Sequence, residues 1–156
     1  MGNVITQDSP TAEMVDKMIG PNISGVDRVG YRVIIEDLAS GSSDDFAFAI
    51  QNPEDVDCLI TRVIIDLATA GGTGSSVLDV DTVANATATG ADLIDGLDLN
   101  TTGLADSITS GGTDGDKFPV KWDKKGGTND YLTGKILVAN ATSLVGKVIV
   151  TYLPLG

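Results

Sequence analysis

The chain has 156 residues, enough for one domain whose core needs neither a disulfide nor a metal. Its net charge of −12 repels nucleic-acid phosphates, and no run approaches the ~20 apolar residues that cross a bilayer, so neither nucleic acid nor membrane is expected as a partner. There is no His and a single Cys, which removes the commonest general base, the usual triads, nearly all zinc sites and any internal disulfide.

Residues 1–28 read as an N-terminal arm and 29–156 as a β-domain. In the arm, Ser9 can cap a short helix, Pro10 suits its first position and Gly20-Pro21 stops it. Met14, Val15, Met18 and Ile19 then fall on one helical stripe. A helix of about ten residues is marginal alone. The stripe must therefore dock, on its own domain or on a neighbouring subunit, and these four residues are the candidate partner-binding set. No basic region followed by an apolar core opens the chain, so no signal peptide is expected.

From Val29 the pattern is β. Tyr31, Val33 and Ile35 alternate with Arg32, Ile34 and Glu36. Asp45 to Ile50 is a short strand that Asn52-Pro53 ends. In the next run Leu59, Val63, Ile65 and Leu67 share one face, and Cys58, Ile60, Arg62, Ile64 and Asp66 the other. Both faces are apolar in the middle, which predicts a central strand with Cys58 as a small core residue. A Gly-rich turn, Ala70 to Gly74, leads into Val77 to Ala84, with Leu78, Val80 and Ala84 opposite Asp79 and Asp81. Leu93 to Leu99 reads as a short strand or a turn pair around Gly96, and Ser110 to Gly115 as a loop. Phe118 to Trp122 is expected at a sheet edge, because Pro119 donates no ladder hydrogen bond. Tyr131 to Ala139 and Leu144 to Leu153 close the domain, the last with Val148, Val150 and Tyr152 on one face. About eight strands with frequent turn signals predict an all-β antiparallel sandwich or jelly roll.

The chemistry left to such a chain is carboxylate chemistry. Asp outnumbers Glu 19 to 3. Asp79 with Asp81, Asp92 with Asp95 and Asp98, and Asp114 with Asp116 are possible calcium ligands, but none follows the EF-hand order. Asp also suits turns, where its side chain bonds nearby backbone, and that is the preferred reading. An Asp pair could serve glycoside hydrolysis, yet a sugar site wants aromatic platforms and Trp122 is the one Trp. The sequons at Asn22, Asn85, Asn100 and Asn140 are best read as chance in an Asn- and Thr-rich chain. No catalytic residue, metal or cofactor is expected, and the chain is not expected to be an enzyme. Charge is uneven: residues 1–110 carry −14 and residues 111–156 carry +2, so the last third is the less acidic surface.

The runs N-P-E-D-V-D-C-L-I-T-R-V-I-I-D-L at 52–67, V-L-D-V-D-T at 77–82, L-I-D-G-L-D-L-N-T at 93–101 and L-V-G-K-V-I-V-T-Y at 144–152 resemble the small head decoration proteins of tailed bacteriophages. That resemblance implies a β-sandwich made in the host cytoplasm that binds the outside of an assembled capsid. Its implied partners are the major capsid protein and its own copies, often as a trimer, and no catalytic residues carry over. The alternative is a head-fibre, tail or host-surface adhesion protein that binds carbohydrate through the loops near Trp122 and the Asp clusters.

Overall fold

The computed structural model describes residues 30–109 and 119–156. The expected arm over 1–28, its stripe of Met14, Val15, Met18 and Ile19, and the Ser110–Gly115 loop lie outside the described residues. Nine strands are described: β1 (Arg32–Asp37), β2 (Phe46–Gln51), β3 (Cys58–Thr69), β4 (Val77–Val83), β5 (Ile94–Asp98), β6 (Gly103–Asp106), β7 (Val120–Trp122), β8 (Tyr131–Leu137) and β9 (Val145–Pro154). The all-β expectation holds, with two antiparallel sheets. One runs β1-β9-β3-β6, with β7 also on β3, and the other runs β2-β8-β4-β5.

The winding follows from the pairs. β1 pairs β9, β2 pairs β8, β3 pairs β6 and β4 pairs β5, so the chain is a long hairpin folded over on itself. Two further pairs, β3 with β9 and β4 with β8, close each sheet across the fold. Within Leu93 to Leu99 the structure has the strand β5, Ile94–Asp98, with Gly96 at φ 71°. β6 is a strand that sequence patterning did not single out, because its four residues Gly-Leu-Ala-Asp are too few to show a period.

β3 is central, between β9 on one side and β6 and β7 on the other. The reason differs from the expected one. The register against β9 slips between Ile60 and Arg62, a bulge that inverts the alternation. Cys58 and Ile60 therefore share the inner face with Val63, Ile65 and Leu67, and all five are buried. Two apolar half-faces in the sequence are one continuous inner face in the fold. Burial pushes the Cys58 thiol up, consistent with a core residue rather than a nucleophile.

The core is aliphatic around a single indole. Trp122 is fully buried and meets the Tyr152 ring edge-on, with centroids 5.7 Å apart. Its Nε1–H is buried without an acceptor among the described residues. At the opposite end, Gly71 sits where no side chain fits, since a Cβ would lie 2.0 Å from the backbone nitrogen of Leu144. Gly71→Ala should lower stability by about 3 kcal/mol in urea unfolding, through overpacking against rigid backbone. Gly30→Ala, with nothing within 4 Å of the added carbon, should change it by no more than about 0.5 kcal/mol.

Candidate interaction surface

The outer face of the five-stranded sheet carries the feature most unlike an ordinary acidic surface. Ile34 packs on the core, so Val33 and Ile35, its neighbours in β1, point outward, and they are 57% and 58% exposed. Register places Ile35 beside Ile149 of β9, and Ile149 beside Ile64 of β3. Val33 stands beside Thr151. A row of branched aliphatic side chains thus crosses three strands. Ion pairs border it: Lys147 with Asp37 at one end, and Arg62 with Asp106 at the β6 side. An apolar centre with a charged rim is the anatomy of a protein-binding patch. Leu104, on β6 beyond Asp66, is 73% exposed and extends the outer face further.

Clefts offer less. The cleft lined by Arg32, Glu54, Asp55, Val56, Pro154 and Gly156 has a volume of about 330 Å³. Its polar groups already answer one another. Arg32 pairs with Glu54, and the Tyr152 hydroxyl donates to the same Glu54 Oε1 at 3.1 Å. Burial first, and then Glu54, push the Tyr152 phenol up to about 12. Below this cluster the buried Asn52 ties the end of the sandwich together. Its Nδ2 donates to the carbonyl of Asp123 at 2.9 Å, and its Oδ1 accepts from the Glu54 N–H at 2.9 Å. The sequence marks Asn52-Pro53 as a turn. The hub role depends on loops far along the chain, which no local pattern shows.

Asp79, Asp81 and Asp98 anchor local backbone. Asp79 accepts from the Gly96 N–H at 2.8 Å, and Asp98 from the Asn100 N–H at 2.9 Å and the Thr101 hydroxyl at 3.0 Å. Asp81 accepts from the Thr82 N–H at 2.7 Å. No group of three or more metal-binding side chains occurs among the described residues, and Asp114 and Asp116 lie outside them. Trp122 itself is enclosed in the core, so its ring cannot serve as an aromatic platform for a ligand.

One backbone site is strained. Val138 has φ 69°, and the Ala139 N–H donates to the Leu137 carbonyl at 2.8 Å. This is the rare γ-turn with a positive central φ, and it carries a β-branched residue. Val138 is 68% exposed at the end of β8.

No family model matches the chain, and a search of curated proteins finds no match. Among solved structures, the chain is similar to one described as the capsid asymmetric unit of cyanophage Pam1, at 19% identity and a TM-score of 0.44. The similarity covers 81% of this chain and 84% of that one.

Two outcomes follow from these interactions. Val138→Gly should raise stability by about 1 kcal/mol in thermal or urea unfolding, because glycine takes the positive φ without strain. The acid limb has a defined sign. Asn100 holds the Asp98 carboxyl below its ordinary value, Arg62 does so for Asp106, Lys121 for Asp123, and the Lys124 N–H with Lys121 for Asp57. Carboxyls lowered in the fold stabilise it above their unfolded value, and that stability is lost as pH falls through the folded values. Asp79, raised by burial, acts in the opposite sense. The melting temperature should therefore hold between about pH 7 and 5 and fall below about pH 4, near the unfolded carboxyl range, in a calorimetric pH series.

Proposed function

We propose that this chain is a virion structural protein that decorates the outside of an assembled phage capsid and stabilises it. The observation that carries the reading is the rimmed apolar patch of Val33, Ile35, Ile149 and Ile64 on an otherwise acidic domain. A patch of that kind fits a protein partner better than a small ligand, whereas the cleft beside Arg32 has its polar groups engaged internally. The strand-and-turn pattern that resembles phage decoration proteins supplies the kind of partner, the major capsid protein. The sheet orders β1-β9-β3-β6 and β2-β8-β4-β5, with the hairpin wound across both, support a jelly-roll reading of the sandwich. Asp79 and Asp98 hold turns and Asp106 is held in an ion pair, which supports a structural rather than catalytic use of these carboxylates.

The mechanism is mass action. A protein that binds the assembled lattice but not free subunits stabilises the lattice by its binding free energy. A standard interface of roughly 800 Å² per partner, repeated over many copies, would resist internal pressure.

Co-sedimentation with capsids that lack the protein tests this. The double variant Val33→Asp with Ile35→Asp should keep its fold, because both side chains are exposed, and should lose at least about tenfold in capsid affinity. Deleting residues 1–20, which removes Met14, Val15, Met18 and Ile19, should also weaken binding. Wild-type protein that stays in the supernatant with capsids overturns the reading, as does binding unchanged by both alterations.

A further inference from the structure

We propose that β1 pairs edge to edge with β1 of a second copy, antiparallel and about a two-fold axis at Ile34, to join the two five-stranded sheets into one. This goes beyond capsid binding and does not rest on it. β1 ends its sheet, so its outer backbone groups face no strand among the described residues. It differs from the other edges. β2 pairs through a bulge between Phe46 and Phe48. β5 pairs through a bulge between Leu78 and Val80, and Gly96 bends it at φ 71°. β6 has four residues and β7 three. β1 runs six residues in unbroken register and contains no Pro, Gly or Lys. An edge of that kind is a template for another strand.

Charge selects both the partner and the register. Arg32 and Glu36 occupy the same side of β1 as Ile34, two positions to either side. With the axis at Ile34, Arg32 stands opposite Glu36 of the second copy, twice. Val33 then stands opposite Ile35, twice, and Ile34 opposite Ile34. With the axis at Val33, Arg32 would oppose Ile34. With the axis at Ile35, Glu36 would oppose Ile34. Both alternatives set a charge against an aliphatic side chain and lose the pairs between opposite charges. Glu36 is exposed and has no ion-pair partner among the described residues. The Arg32 side chain is 41% exposed and engages Glu54 through Nη1, which leaves further donors in the guanidinium. The strand is thus self-complementary, as an isologous interface requires. The pairing also sets the outward Val33 and Ile35 of both copies side by side.

The test is sedimentation velocity of the full chain at about 0.15 M salt, where a Debye length of roughly 8 Å screens the net charge. The wild type should show a concentration-dependent dimer. Glu36→Arg should weaken it about tenfold, by setting two like-charge pairs across the axis. Arg32→Glu should do the same, and an equimolar mixture of the two variants should dimerise as well as the wild type, since each contact then pairs opposite charges. If Arg32→Glu fails to fold for want of its Glu54 contact, Glu36→Arg with Val33→Lys carries the test, both being exposed positions. A protein that remains monomeric at all concentrations overturns the proposal. So does an oligomer of any size indifferent to Glu36→Arg, or a dimer lost on deleting residues 1–29 with β1 intact.

Discussion

The pairing of β3 with β9 is the constraint on which the rest of the structure depends. It runs from Cys58 beside Pro154 to Thr69 beside Val145, and it joins two strands from opposite ends of the wound hairpin. Every other element of the five-stranded sheet attaches to one of the two: β1 to β9, and β6 and β7 to β3. Their inner side chains, Ile60, Val63 and Ile65 with Val148 and Val150, are fully buried and form the floor on which the second sheet packs. Their outer side chains, Ile64 and Ile149, stand side by side on the opposite face and make the middle of the interaction patch. One ladder therefore builds the core on one side and the candidate site on the other.

The bulge near Thr61 makes that double use possible. Without it, Cys58 and Ile60 would sit on the face opposite Val63 and Ile65, and the end of the sandwich around Trp122 would lose its lining. With it, Cys58 reaches Asn52 and the polar hub that fastens the 52–57 and 122–130 loops. The same hub holds Glu54 against Arg32, so the conformation at the start of β1 is fixed by the loop that leads into β3.

Much of the fold was legible because it rests on period-two alternation. β3, β4, β8 and β9 are long enough to show it, and the inner face of β9 over Val148, Val150 and Tyr152 is as patterning indicates. What was not legible has three physical causes. β6 is too short to carry a pattern. The inversion within β3 is a property of its pairing with β9, not of its own residues. The patch is a property of register: in β1 both alternating sets contain large aliphatic side chains, and only the pairing of Ile35 with Ile149 and Ile64 shows which set forms a surface. The place of Trp122 was not legible for a related reason: only the pairing of β7 with β3 shows that it fills the volume that a core poor in aromatics leaves between Cys58 and Tyr152.

The central place of β9 also fixes an order of events. Its ten residues lie between β1 and β3, so those two strands cannot join until residues 145–154 have been synthesised and have left the ribosome. Until then Val63, Ile65 and their neighbours have only the short strands β6 and β7 to pair with, on one edge of β3. The nascent chain must carry strand edges and aliphatic surface in the open, in a topology that already folds slowly because its contacts are distant in sequence. A strong negative charge, concentrated in the first two thirds of the chain, is well placed to keep such chains apart during that interval. The acidity that first read as a property of the finished surface thus has a second use, as protection for a molecule whose main sheet stays incomplete until β9 arrives.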